Sequence, residues 1–389
     1  MESFNFKTQV FFGEGSLKRL SQLNCHKAFI VTDPFMVKSG VINKITDEIS
    51  KGNVEYIVFS DIVPDPSVEI VAKGIEVMMK FNPDVVIALG GGSAIDAAKA
   101  ICNFNLKLKA NTVSNMENNK KIKLIAIPTT SGTGSEVTSI SVITDKNKNI
   151  KYPLISDELQ PDEAILVAEL VSTVPNFITA DTGMDVLTHD IEAFVSTRAT
   201  DYTDALAEKS IKLVFQNLIN AYRDGNDLEA RTKMHNASCI AGIAFNNASL
   251  GLNHGMAHTI GAKFHISHGR ANAILLPYVI EFNADIKDFN SSEYTYAAKR
   301  YSEIAKLLGL PASNVYQGVK SLIIAINMIL KELNIPASLK ENGIKEEDFK
   351  MEVSEMASIA LEDRCTQTNP RVPKTEEIID LFYQVYYNN

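Results

Sequence analysis

Nothing in the sequence is long and apolar enough to cross a bilayer. The longest apolar runs, such as Val85–Leu89 and Leu322–Ile326, fall far short of the ~20 residues that a spanning helix needs. The start, MESFNFKTQVFFGEG, shows no basic segment leading into an apolar one, so no secretory signal is expected, and no separate amphipathic targeting helix precedes Val10. Cysteine is scarce. The four present, Cys25, Cys102, Cys239 and Cys365, lie far apart with no CxxC, which reads as reduced thiols in a cytosol. A basic surplus is missing too: 38 Lys and Arg against 47 Asp and Glu leave a net charge of −9, which argues against a nucleic-acid partner. What remains is ordinary. An apolar share of 45% and a charged share of 22% exclude disorder, collagen and coiled coil. A length of 389 residues favours two domains. The expectation is a soluble, acidic, cytoplasmic protein.

The chain changes character near its middle. In the first half, the short apolar runs Ala28–Thr32, Glu55–Ser60, Val85–Leu89 and Leu124–Ile127 alternate with helical stretches such as Pro66–Phe81 and Ala94–Asn103. That order predicts a parallel sheet covered on both faces, with ligands beyond the carboxyl ends of its strands. From about Ala180 the pattern turns helical, as in Thr203–Ala221, Ser321–Leu333 and Glu376–Tyr386. Val171–Asp181, with Pro175 as breaker, marks the boundary. The expected domains are an α/β domain over 1–178, with a parallel, Rossmann-like sheet, and an all-α domain over 179–389. No internal repeat is found, and the polar stretch Ala110–Lys123 is expected to form a surface loop.

Two turns look built for a dinucleotide. Leu89-Gly90-Gly91-Gly92-Ser93 follows one apolar run and opens a helix, so its backbone could approach a pyrophosphate at a helix N-terminus. It is not the GxGxxG pattern, and a plain strand-to-helix turn needing positive φ is the alternative. Pro128–Glu136 (PTTSGTGSE) packs five hydroxyls and two glycines into nine residues, suited to phosphate and ribose oxygens. Asp33, ending the first run, either bonds a ribose 2′-hydroxyl or makes an Asp–Pro turn. Asp65 stands in a second rigid turn, Pro64–Pro66.

The seven histidines are not scattered. Asp185 and His189 stand four apart, and so do His254 and His258; on helices each pair shares a face. His265 and His268 follow after a glycine-marked turn. One carboxylate with three imidazoles suits Fe²⁺, Zn²⁺ or Mn²⁺. The intervening residues Gly255-Met256-Ala257 lack the glutamate of HExxH, which weakens a zinc-protease reading. A nicotinamide site plus a metal site points to alcohol oxidation or carbonyl reduction.

At these residues the sequence resembles the iron-dependent alcohol dehydrogenases. The likeness runs from FFGEGSL through GGGSAIDAAK, IPTTSGTGSEVT, TGMDVLTHDIEAF and LNHGMAHTIGAKFHISHG to CTQTNPR. Within that family the segments FSDIVPDPSVEIVAKGI, IKYPLISDELQPDEAIL, DYTDALAEKSIKLVFQNL and TKMHNAS resemble the 1-propanol dehydrogenases of 1,2-propanediol utilisation. The resemblance implies an active site in a cleft between the two domains. It also implies Fe²⁺, with Zn²⁺ as the alternative metal, on Asp185, His189, His254 and His268. His258 would lie by substrate and nicotinamide. NAD, rather than NADP, would contact Asp33, Asp65, Gly91, Gly92, Ser93, Thr129, Thr130, Thr133 and Lys151. Phe245 and Cys365 would line the substrate pocket, and His265 has no counterpart.

The implied reaction interconverts propanal and 1-propanol. The alternatives are a diol or polyol (1,3-propanediol, lactaldehyde/1,2-propanediol, glycerol) or butanol with NADP(H). A homodimer or larger homo-oligomer and residence within a bacterial microcompartment are further implications. No fused aldehyde-dehydrogenase domain is expected. Dehydroquinate synthase, which shares the general architecture, would want more basic residues near His254 than Lys263 and Arg270.

Overall fold

The strands form where apolar, β-branched runs end at turn-forming residues. A computed structural model describes residues 3–112, 121–146, 150–286 and 293–388. The chain divides into two compact units, Met1–Thr173 and Val174–Asn389.

The first unit holds strands β1 (Gln9–Phe12), β2 (Lys27–Thr32), β3 (Glu55–Phe59), β4 (Val85–Gly90), β5 (Lys123–Pro128), β6 (Ile140–Asp145), β7 (Ile150–Ile155) and β8 (Glu163–Leu166). Its helices are α1 (Pro34–Lys38), α2 (Val41–Lys51), α3 (Val68–Phe81), α4 (Gly92–Thr112) and α5 (Ala168–Val171). Six strands make one sheet in the order β1-β8-β5-β4-β2-β3, and every pairing is parallel. The period-two alternation sorts its side chains onto two faces. Phe29, Val31, Val86, Ala88, Leu124 and Ala126 pack with Val71, Met78, Ile95 and Ile101 of α3 and α4. Ala28, Ile30, Val85, Ile87, Ile125 and Ile127 pack with Ile42, Ile45 and Ile49 of α2. Burial on both faces is why β4 reads as a continuous apolar run. The register sets the carboxyl ends level: Thr32 pairs with Leu89, and Gly90 with Pro128.

Two features depart from the sequence-based expectation. α4 continues through Thr112, so the stretch expected as a loop from Ala110 begins as helix; residues 113–120 lie outside the described residues. β6 and β7 form a separate antiparallel hairpin. The two units part at Thr173/Val174, just ahead of Pro175 and inside the segment Val171–Asp181.

The second unit is helical throughout its described residues: α6 (Asn176–Val195), α7 (Asp201–Arg223), α8 (Leu228–Ala248), α9 (Leu252–Phe264), α10 (His268–Ala284), α11 (Tyr296–Leu307), α12 (Val315–Glu332), α13 (Glu346–Glu362) and α14 (Thr375–Tyr387). α6 is buried on nearly every side from Thr179 to Val195. That marks it as a central helix rather than an amphipathic surface one. Among the described residues no helix is long and apolar enough to cross a membrane.

Candidate metal centre and dinucleotide turns

The metal-ligand candidates converge because α6 dictates where α10 starts. Asp181, one turn before Asp185, accepts hydrogen bonds from Ser267 Oγ (2.6 Å) and Arg270 Nε (3.0 Å). Gly269 lies so close to α6 that a Cβ there would stand 2.2 Å from the Asp181 carbonyl oxygen. This contact brings His268, the first residue of α10, to Asp185: His268 Nε2 is 3.6 Å from Asp185 Oδ1. His265, assigned no role, adopts φ 57 and ends α9, turning the chain toward α10.

α9 is held at its own N-terminus. The Asn369 side-chain oxygen accepts the Leu252 N–H at 3.1 Å, and Glu192 Oε1 accepts the Asn253 N–H at 2.7 Å. Such acceptors satisfy donors that a helix start leaves open. Glu192 Oε2 meets His254 Nδ1, which turns Nε2 toward Asp185 Oδ1 at 3.8 Å. His189 stacks between Phe245 (centroids 4.4 Å apart) and His254 (4.7 Å). The donor atoms of Asp185, His189, His254 and His268 all lie within 4.8 Å of one another.

Asn272, one turn after His268, points its amide nitrogen into the same set. It is 2.7 Å from Asp185 Oδ1 and 3.1 Å from Nε2 of both His254 and His268. Its own oxygen accepts from Asn253 Nδ2 at 2.9 Å.

The electrostatics suit a divalent cation. Burial, then the imidazoles of His189, His268 and His258, pushes His254 well below the usual histidine range, leaving its ring neutral. Burial likewise pushes the Asp185 carboxyl up. A buried carboxylate beside the neutral His254 ring is short of positive charge, and a divalent ion would supply it. The donor set therefore fits the group, and its mixed N/O character admits Fe²⁺ and Zn²⁺ alike.

His258 and Cys365 stand beside this set. The His258 ring stacks on that of His268 at 5.3 Å, and its Nδ1 is 2.8 Å from Asp363 Oδ2. The Cys365 thiol is pushed well above its usual range by burial and by the Asp363 and Glu192 carboxylates.

In the first unit the two turns meet. Positive φ falls at Gly90 (148°), the last residue of β4, and not at Gly91 or Gly92. The Thr129 N–H donates to the Gly90 carbonyl at 3.0 Å. A Cβ on Gly91 would stand 3.4 Å from Thr130 Oγ1, and one on Gly92 2.9 Å from Thr133 Cγ2. Gly91, Gly92, Thr129, Thr130 and Thr133 are thus brought together, and Ser93 follows in the first turn of α4. Asp33 caps α1 by accepting from the N–H groups of Phe35 (2.8 Å) and Met36 (3.1 Å). Its other oxygen would lie 3.2 Å from a Cβ on Gly90, so the carboxylate also faces the glycine turn. Asp65, at φ 54, is paired with Lys151 of β7 at 2.6 Å.

Each half of the chain matches a family model. Residues 7–168 match "Iron-containing alcohol dehydrogenase", and residues 179–386 match "Fe-containing alcohol dehydrogenase family, C-terminal". The chain belongs to the iron-containing alcohol dehydrogenase family. It is 43% identical over its whole length to the aldehyde-alcohol dehydrogenase of Streptococcus pneumoniae serotype 2, of which it spans 46%. It is 44% identical to 1-propanol dehydrogenase PduQ of Citrobacter freundii, covering 99% of this chain and 100% of that one. Among solved structures, the iron-containing alcohol dehydrogenase of Thermococcus thioreducens superposes over 100% of both chains with a TM-score of 0.88 at 36% identity. Sulfoacetaldehyde reductase from Bifidobacterium kashiwanohense, in complex with NAD⁺, covers 100% of both chains with a TM-score of 0.86 at 29% identity.

This family member carries supporting residues that sequence reading passed over. Glu192, Asn272, Asn369 and Asp363 join segments far apart in the chain. In the first unit, buried Lys99 donates to Ser135 Oγ (2.9 Å), Thr138 Oγ1 (3.1 Å) and the Ile140 carbonyl (2.8 Å). Asp96 accepts from Ser135 Oγ at 2.6 Å. These two α4 side chains clamp the hydroxyl-rich turn onto the helix that the glycine turn opens. The only signal in the sequence was their i,i+3 spacing within GGGSAIDAAK.

Proposed function

We propose that this chain interconverts a short primary alcohol and its aldehyde, propanal and 1-propanol first among them, using NAD(H) and an Fe²⁺ ion held by Asp185, His189, His254 and His268. The observation that carries this reading is the convergence of those four donors within 4.8 Å in a chain that belongs to this family. The substrate choice follows the full-length likeness to 1-propanol dehydrogenase. The choice of NAD follows Asp33, whose carboxylate beside the glycine turn would repel a 2′-phosphate.

When bound, the metal supplies Lewis acidity toward an alcohol oxygen and the nicotinamide supplies a hydride acceptor. The protein's own groups do the rest. Gly91, Gly92, Ser93, Thr129, Thr130 and Thr133 offer backbone and hydroxyl donors to the dinucleotide. Phe245 and Cys365 wall the substrate, and Phe245 fixes the ring of His189 by stacking. Oxidation removes a hydride from carbon, which a bound nicotinamide would accept, and a proton from oxygen, which has to reach solvent. His258, with its side chain 44% exposed, passes that proton outward and returns it during aldehyde reduction. Assembly as a homo-oligomer and residence in a bacterial microcompartment complete the reading, resting on resemblance.

The test is a kcat/KM comparison across propanal, butanal, lactaldehyde and 3-hydroxypropanal, each with NADH and with NADPH. Propanal with NADH is expected to lead. A lead for a hydroxyaldehyde, or for NADPH, would replace that substrate or cofactor assignment.

A further inference from the structure

Asp363 follows α13, where the chain leaves the helix for a short turn over Thr366–Thr368. Its carboxylate is pinned twice. Oδ1 accepts the Cys365 backbone N–H at 2.8 Å, and Oδ2 lies 2.8 Å from His258 Nδ1. The turn itself is locked against α9. Thr366 Oγ1 donates to the Ala360 carbonyl at 2.6 Å, and a Cβ on Gly255 would stand 2.2 Å from that same Oγ1. Only a glycine allows this approach, and it sets Asp363 at a fixed distance from His258, three residues further along α9.

Although burial pulls the other way, the hydrogen bonds from His258 and from Cys365 hold the Asp363 carboxyl below the usual carboxylate range. An ionised carboxylate accepts and cannot donate. His258 Nδ1 therefore carries the hydrogen of this contact, which leaves Nε2, across the ring, outside the contact with Asp363. The ring plane is fixed as well. It lies 14° from that of His268 and stands edge-on to His254 at 6.1 Å.

We propose that Asp363 is the positioning residue for His258, fixing its tautomer and ring orientation so that Nε2 exchanges the substrate proton. This rests on the proton-relay role of His258 given above. The arrangement has the logic of an aspartate behind a catalytic imidazole, where aspartate-to-asparagine replacement costs up to about 10⁴-fold in kcat through the wrong tautomer. Burial and the neighbouring carboxylates push the Cys365 thiol well above its usual range, and it joins Asp363 as a hydrogen-bonding neighbour.

The experiment uses iron-loaded wild type, His258→Ala, Asp363→Asn and the double variant. The readouts are kcat, KM for propanal, iron per chain and the pH–rate profile. Selective ¹⁵N labelling of histidine in the metal-free wild type and Asp363→Asn proteins reads the tautomer directly. The expected result is a loss of roughly 10²-fold or more in kcat for His258→Ala. Asp363→Asn should lose at least about tenfold, with KM and iron content unchanged, and should shift His258 away from the Nδ1–H form. In the double variant the Asp363 change should add nothing, because its effect passes through His258.

A merely structural Asp363 would lower activity further in the double variant, and that result overturns the proposal. So does an Asp363→Asn protein with wild-type kcat while His258→Ala is impaired. Full activity in His258→Ala would remove the relay itself and this inference with it.

Discussion

Glu192 and His254 come from different helices, α6 and α9, yet one carboxylate serves both the backbone and the ring. Its Oε1 takes the Asn253 N–H at 2.7 Å, and its Oε2 meets His254 Nδ1. Both residues are fully buried, and burial pushes the Glu192 carboxyl up to about 8. A single side chain thus caps the helix that carries His254, one of the proposed metal ligands, and fixes which of its nitrogens faces Asp185. Partners behind a ligand of this kind change metal affinity about 10–100-fold when altered. Glu192→Gln keeps the shape and replaces the carboxyl by an amide that cannot ionise when a cation arrives at His254. It is expected to weaken Fe²⁺ binding by that order, with the melting temperature of the metal-free protein little changed. Titration of stripped protein with Fe²⁺ under anaerobic conditions measures it; unaltered affinity would show that the contact serves only the helix cap.

Asp33 separates two roles by substitution. Its cap on α1 should survive Asp33→Asn, since asparagine caps as well as aspartate, and should fail in Asp33→Ala at a cost of about 1 kcal/mol. Both variants lose the negative charge beside Gly90. The NADPH/NADH ratio of kcat/KM should therefore rise in both, while only the alanine variant melts lower. An unchanged ratio in both would reduce Asp33 to a helix cap.

His268 tests the metal set without endangering the core. Its side chain is 43% exposed, whereas His254 is 1% exposed. His268→Ala is expected to keep the helical circular-dichroism signal and lose most bound iron. An iron-replete, fully active variant would contradict the ligand assignment.

Glu136 gives the first unit a pH dependence with a definite sign. Burial pushes its carboxyl up to about 7 from 4.5, only partly offset by its hydrogen bond and by Lys99. The folded state therefore favours the proton. The stabilisation is complete below about pH 4.5 and is lost as pH rises through about 7. Glu136→Gln removes this loss. Its melting temperature should exceed that of wild type near pH 7.5 and converge with it near pH 5, as calorimetry would show. Parallel curves across that range would mean the Glu136 carboxyl is ionised throughout.

Most of the architecture was legible in the sequence because it rests on local periodicity. Val85–Leu89 reads as a buried strand since both its faces are covered, and the i,i+4 spacings of Asp185 with His189 and of His254 with His258 place each pair on one helix face. What escaped is long-range. Glu192 reaches His254 across 62 positions, Asn272 reaches Asp185 across 87, and Asp363 reaches His258 across 105. No local pattern encodes such pairs. Tertiary packing creates them, above all where glycines let elements approach, as Gly269 does at Asp181 and Gly255 at Thr366. The hydroxyl-rich turn was visible by composition, but its clamp, Lys99 with Asp96, looked like an ordinary helix face until the fold buried it.

The most direct measurement is NADH oxidation with propanal by metal-stripped protein, reconstituted anaerobically with Fe²⁺ or with Zn²⁺. Turnover restored by Fe²⁺, with one propanal reduced per NADH consumed, is the result this account requires. No turnover with either metal, and none with NADPH in place of NADH, would leave the fold standing and contradict the chemistry assigned to it.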